Sequence, residues 1–119
     1  MDRSGTIVLV VDDEPAVRAV IFLHLKKAGY TVLEAASGEQ ALAILAFQPN
    51  VSLALIDCDM PKLSGPELDK LILAKWPGIR ILAMSGRPRS DELPDAVEFI
   101  NKPFRGTDLI TKIESILRH

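Results

Sequence analysis

The 119 residues include one cysteine, two histidines, one tryptophan and one tyrosine. A single thiol, Cys58, excludes an internal disulfide framework and suits a reducing compartment, so a cytoplasmic location is expected. With only Cys58, His24 and His119 to offer sulfur or imidazole, a zinc site would have to draw mostly on carboxylates. No apolar run approaches the roughly 20 residues that span a bilayer, so no membrane association is expected. Met1-Asp2-Arg3-Ser4-Gly5 leads into only a short apolar run, Ile7 to Val11, cut at once by Asp12-Asp13-Glu14, which is not the pattern of a secretory leader. Excess positive charge is also missing: the net charge is −2, so direct binding to nucleic acid is not expected. What remains is 48% hydrophobic and 25% charged residues, the balance of an ordinary folded protein with one core. A single domain over residues 1–119 is expected.

Apolar runs alternate with helical patterns. Thr6 to Val11 is β-branched and apolar on both alternating sets, the mark of a strand buried on both faces. Pro15 suits the first position of a helix, in which Val17, Val20, Ile21 and Leu25 form a core stripe and Gly29 a stop. Thr31 to Ala35 reads as a second strand. Ser37-Gly-Glu-Gln40 reads as a capping box for a helix to about Phe47. Ser52 to Ile56 is a third strand. Ser64-Gly-Pro-Glu67 is a second capping box, followed by a stripe of Leu68, Leu71 and Ile72 and a stop at Pro77-Gly78. Arg80 to Met84 and Ala96 to Ile100 give strands four and five. The last helix starts near Gly106 or Thr107, with Leu109, Ile110, Ile113, Ile116 and Leu117 on one face. Such alternation predicts an α/β fold, a parallel sheet covered by helices on both sides.

One connection breaks the rhythm. Strands four and five are separated by Ser85 to Asp95, a stretch containing Gly86, Pro88 and Pro94, whereas a parallel crossover usually takes about a dozen residues or more. Ser90-Asp-Glu-Leu93 can supply one helical turn at most. The fourth helix is therefore expected to be reduced or absent.

In an open α/β sheet, ligands sit outside the carboxyl ends of the strands. Strand one ends in Asp12-Asp13-Glu14, strand three in Asp57 and strand four in Ser85, and strand five is followed by Lys102-Pro103. Clustered carboxylates repel one another unless a cation joins them. A hard divalent ion such as Mg²⁺ suits oxygen ligands, Lys102 brings a mobile positive charge, and Ser85 brings a hydroxyl donor. That set describes a phosphoryl site beside a carboxylate able to act as nucleophile. Each residue also has a plainer reading. Acids after a strand can cap the next helix, Asp57 can end a strand and Ser85-Gly86 can make a turn, and Lys102 can be a solvated loop lysine. Phe99 can be core, and Cys58 a small packing residue pointing away from its acidic neighbours. Trp76 is expected to pack at a helix end, His24 and His119 to lie on the surface, and Leu93, Leu109 and Ile116 to be core.

Taken together, four motifs resemble a response-regulator receiver domain over nearly the whole chain. They are Val10-Val-Asp-Asp-Glu-Pro15, Ile56-Asp-Cys-Asp-Met-Pro61 with Gly65, Met84-Ser-Gly86, and Asn101-Lys-Pro-Phe104. The resemblance implies a flavodoxin-like doubly wound sheet of five parallel strands in the order 2-1-3-4-5. It implies that Asp57 accepts a phosphoryl group from a phosphohistidine on a histidine kinase or histidine phosphotransferase. Mg²⁺ would be held by Asp13 and Asp57 side chains and the Asp59 backbone carbonyl, with Asp12 acting mostly through metal-bound water. Ser85 and Lys102 would hold phosphoryl oxygens. Phe99 falls at the switch aromatic, turning inward as Ser85 moves toward the phosphoryl group. The resemblance implies self-phosphorylation and autodephosphorylation only, not enzymatic turnover.

Two departures from the family carry further expectations. The short connection after Ser85 shifts the output surface to strands four and five and the last helix, where an unidentified downstream protein or a second copy could dock. Asp59 places an extra acid at the mouth and is expected to alter the dephosphorylation rate. With no DNA-binding or catalytic sequence after His119, action by protein contact, or as a phosphoryl sink or relay, is expected. A receiver-like interaction module that is never phosphorylated is a further alternative. Asp57-Cys-Asp59 also resembles the DxD of haloacid-dehalogenase-type phosphatases, but it lies mid-chain, is followed by Met60-Pro61, and leaves no room for a substrate cap.

Overall fold

The computed structural model describes residues 3–118. Five strands, β1 (Ile7–Val11), β2 (Thr31–Ala35), β3 (Leu53–Asp57), β4 (Arg80–Ser85) and β5 (Glu98–Asn101), form one sheet in the order β2-β1-β3-β4-β5. Every pairing is parallel. The helices are α1 (Pro15–Lys27), α2 (Gly38–Phe47), α3 (Gly65–Lys75) and α4 (Gly106–Leu117). Chain direction across the sheet reverses at β1 and β3, which opens a crevice at their carboxyl ends.

Two apolar layers sandwich the sheet, and strand alternation assigns residues to each. Val8 and Val10 of β1, Leu53 and Leu55 of β3 and Leu82 and Met84 of β4 face Ile21 and Leu25 of α1 and Leu109, Ile113 and Ile116 of α4. The residues between them, Leu9, Val11, Ala54, Ile56, Ile81 and Ala83, face Ala41 and Leu45 of α2 and Leu68 and Ile72 of α3. All of β3 is buried, which explains its unbroken apolar run.

Local chemistry sets the boundaries. Gly29 adopts φ 98° after α1. Its N–H donates to Lys26 O (3.0 Å) while Tyr30 N–H donates to Leu25 O (3.1 Å), the paired bonds that close a helix through a left-handed residue. Ser64 and Glu67 complete a reciprocal capping box on α3. The box expected at Ser37 is half made: Ser37 Oγ accepts from Gln40 N–H (3.1 Å), but the Gln40 side chain takes the Ala36 N–H instead.

Between β4 and β5, the described residues contain no helix. Ser90 to Leu93 form a single turn, in which Glu92 N–H donates to Ser90 Oγ (3.1 Å) and Leu93 N–H to Ser90 O (3.2 Å). Leu93 and Val97 plug the α3 side of the core in place of a helix. Three expectations need correction. Val20 is 54% exposed and Leu71 47% exposed, each at the margin of its helix's apolar stripe. His24, expected on the surface, is half-buried against the start of α4, where Gly106 leaves room for its ring. His119 lies outside the described residues.

Candidate functional site

At the carboxyl edge of the sheet, backbone hydrogen bonds carry the ladder a residue beyond the strands and so fix the residues that follow. Asp12 N–H donates to Ala35 O (3.2 Å), Cys58 N–H to Met84 O (2.9 Å) and Lys102 N–H to Ser85 O (2.8 Å). Asp12 is wholly buried, its Oδ1 accepting from Glu14 N–H (2.9 Å). Arg18 holds the same turn from α1, donating to Asp12 O (2.7 Å) and pairing with Glu34 (3.3 Å). Gly65 is required at the start of α3. A Cβ there would lie 2.4 Å from Asp57 O and 2.6 Å from Cys58 Cα, so only glycine lets the helix approach the β3 end this closely.

Three of the expected ligands converge. Carboxylate oxygens of Asp12, Asp13 and Asp57 lie within 4.8 Å of one another. Lys102 Nζ stands 3.4 Å from Asp12 Oδ2 and 3.5 Å from Asp57 Oδ1. Asp57 is only 3% exposed, and its Oδ1 also accepts from Asp59 N–H (3.3 Å). Burial pushes the Asp57 carboxyl above its ordinary range; the Asp59 N–H and the Lys102 charge oppose this, and the Asp12 and Asp59 charges add to it. Burial pulls the Lys102 ammonium down, but the charges of Asp57 and Asp12 outweigh it and hold its pKa above the usual value. Three carboxylates against one ammonium leave an excess of negative charge among hard oxygen donors, so the donor set fits a divalent cation such as Mg²⁺.

Ser85 and Asp59 are placed differently from the acid cluster. Ser85 Oγ donates to Asp59 Oδ2 (3.0 Å) and accepts from Arg87 N–H (3.1 Å). The Arg87 guanidinium closes the ring by pairing with Asp59 Oδ1. Burial raises the Asp59 carboxyl, but the hydrogen bonds from Arg87 and Ser85 prevail and hold it low. Phe99 is half-buried and, with Ser85, Arg87 and Met60, lines a cleft of about 600 Å³ outside this ring. Asn101 secures the same loop through Ser85 O (3.3 Å) and Arg87 O (2.8 Å). Cys58 packs against the α2–α3 core. Burial, with the charges of Asp69, Asp59 and Asp57, pushes its thiol up to about 12, which makes it a poor nucleophile.

Two residues here escaped sequence reasoning. Arg87 reads as an ordinary loop charge, and its place two residues after Ser85 is the one signal that could have marked it. Asp69 of α3 is buried with Gly65, Leu68 and Ile72, a helical spacing that puts it on the core face. Neither of its carboxylate oxygens has a hydrogen-bond partner.

Comparison with known proteins places this arrangement in context. Residues 8–114 match the family described as the response regulator receiver domain. The chain is 34% identical over 116 residues to response regulator GtcR of Aneurinibacillus migulanus, covering 93% of this chain and 47% of that protein. To sensor kinase CckA of Brucella abortus it is 36% identical over 123 residues, covering 98% of this chain and 13% of the kinase. It therefore spans about half or less of these relatives' length. Among solved structures, response regulator protein TrrA of Thermotoga maritima, in complex with Mg²⁺–BeF, superimposes with a TM-score of 0.85 at 32% identity, covering 93% of this chain and 98% of that one.

Proposed function

The chain belongs to the response regulator receiver domain family of two-component signalling, and from that premise we propose that Asp57 is a reversible phosphoryl acceptor. A receiver implies a histidine kinase or histidine phosphotransferase as donor. In the transfer, an Asp57 carboxylate oxygen bonds to phosphorus as the phosphorus–nitrogen bond of a phosphohistidine breaks. The bond's electron pair stays on the departing imidazole, which takes a proton.

The observation that carries the reading is Lys102 Nζ at 3.4 and 3.5 Å from Asp12 and Asp57, beside three converging carboxylates. Asp12, Asp13, Asp57 and the Asp59 carbonyl would hold Mg²⁺, which when bound offsets charge on the phosphoryl oxygens. Lys102 exchanges its Asp57 contact for a phosphoryl oxygen. Ser85 leaves Asp59 to donate to another, and Arg87 loses the shared partner that ties it to the loop. Phe99, at the rim of the vacated cleft, turns inward. The resulting change in shape spreads over β4, β5 and α4, where a downstream protein or a second copy docks.

An apolar groove of about 660 Å³, lined by Ala16, Val17, Val20, Ile21, Pro103 and Phe104, adjoins Lys102. It accounts for the exposure of Val20 and supports approach of the donor along α1. The single thiol and the acidic balance suit a cytoplasmic setting.

Incubation with acetyl phosphate and Mg²⁺ tests the proposal. Intact mass rises by one phosphoryl group in the wild type and stays constant in Asp57→Ala or when EDTA replaces Mg²⁺. Equal labelling of wild type and Asp57→Ala would overturn it.

A further inference from the structure

Asp69 is the one buried acid among the described residues whose carboxylate oxygens meet no donor. It lies on α3, beneath the connection that runs from β4 to β5. Burying an ionised carboxylate without a partner is strongly unfavourable, so such a group either stays protonated or acquires a cation. The cation whose field reaches it is Arg89, in that connection. Arg89 is at present engaged elsewhere: its guanidinium donates to Val97 O (2.6 Å) and Pro94 O (2.8 Å). These two bonds, with Val97 N–H to Pro94 O (3.0 Å), hold the segment folded so that Leu93 and Val97 seat in the α3 core.

We propose that Asp69 is a proton-operated bolt for the β4–β5 connection. As the neutral acid it lets the connection close. When its proton passes to solvent, the carboxylate draws Arg89 away from Val97 O and Pro94 O and the connection opens.

The surroundings isolate this exchange. From the β3 side the titratable neighbour is the Cys58 thiol, itself held protonated. On the connection, Asp91, Glu92 and Asp95 are exposed, as are Glu67, Lys70 and Lys75 on α3. The buried residues that α2 and β4 present to this layer, Ala41, Leu45, Ile81 and Ala83, carry no charge. Burial, opposed only by the Arg89 charge, lifts the Asp69 carboxyl to about 7, so the bolt works near neutral pH. The bolt does not depend on Asp57 being an acceptor. Its consequence reaches that site because the same connection carries Arg87 and walls the cleft beside Ser85.

Amide exchange of Leu93 and Val97 tests it, between about pH 5.5 and about pH 8.5, after correction for intrinsic exchange rates. In the wild type the opening constant rises up to about tenfold per pH unit from about pH 5.5 to about pH 7, where the opened state has lost the Asp69 proton and the closed state keeps it, and levels off above about pH 7. In Asp69→Leu, which fills the site with an apolar side chain, it is flat, and Asp69→Asn gives a second charge-free profile. An Asp57→Asn protein keeps the wild-type slope. A flat wild-type profile, a slope that survives in both Asp69 variants, or one that disappears in Asp57→Asn would each overturn the proposal.

Discussion

Asp59→Ala is the most informative change at the site, because it opens the ring of Ser85, Asp59 and Arg87 without touching an expected side-chain ligand. The Ser85 hydroxyl spends its donor on Asp59 at 3.0 Å and must recover it to meet a phosphoryl oxygen. A hydrogen bond to a charged acceptor is worth about 1.5–3 kcal/mol. Asp59 is 38% exposed and Arg87 78% exposed in their side chains, so water replaces much of that, and about 1 kcal/mol is retained. If release of the hydroxyl precedes the transition state, the barrier falls by that amount and acetyl phosphate labels Asp59→Ala about fivefold faster. Losing an acid at the mouth also reduces repulsion of the anionic donor. Asp59→Asn separates the two effects, since it removes the charge but keeps an acceptor for Ser85. The ring predicts a larger gain for alanine than for asparagine, whereas repulsion alone predicts equal gains. The assay is the pseudo-first-order rate of mass increase at fixed Mg²⁺. Labelling of Asp59→Ala no faster than the wild type would refute the reasoning.

Other outcomes follow from the same geometry. The acyl-phosphate lifetimes of wild type and Asp59→Asn differ when followed by intact mass after donor removal; equal lifetimes would dismiss a role for this acid in dephosphorylation. Gly65→Ala loses about 2 kcal/mol of stability in urea titration, because its Cβ meets backbone of Asp57 and Cys58 instead of a flexible side chain; unchanged stability would mean that α3 shifts freely. Asp69 has a folded-state pKa of about 7 against 3.8, so the unfolded chain binds fewer protons between these values and stability falls as pH rises through that window. Asp69→Leu is therefore more stable than the wild type by up to about 4 kcal/mol above pH 7, at about 1.36 kcal/mol per unit, and this charge-dependent advantage vanishes below about pH 4; urea titrations at the two extremes check it. Mg²⁺ raises the melting temperature of the wild type by binding the native cluster, and Asp13→Ala loses most of that shift.

The alternation of apolar runs and capping signals made the five parallel strands and the missing crossover helix legible, because a sheet covered on both faces leaves strands such as Leu53–Asp57 almost no polar positions; the strand order came with the family resemblance. Motif positions at the strand ends led to Asp12, Asp13, Asp57 and Lys102 because the topology alone gathers those ends. Side-chain partnership was not legible in the same way. Ser85 is where the motif places it, yet its hydrogen bond goes to Asp59, a choice set by Arg87 across a turn that has no periodicity. Val20 and Leu71 show the limit of stripe reasoning, since a helix margin is apolar in composition whether or not the sheet reaches it. Asp69 was concealed by its chemistry, because an acid at a core spacing reads as a solvent-facing interruption.

Lys102 and Asp12 are partners 90 positions apart, and this has a consequence for synthesis. As the chain leaves the ribosome, β1 and β3 can pair and bring Asp12, Asp13 and Asp57 together while the ammonium that balances them is still untranslated or undocked. Until β5 joins β4, the acid cluster lacks the ammonium that pairs with Asp12 and Asp57. The Lys102 side of the proposed phosphoryl site is thus the last part of it to be assembled.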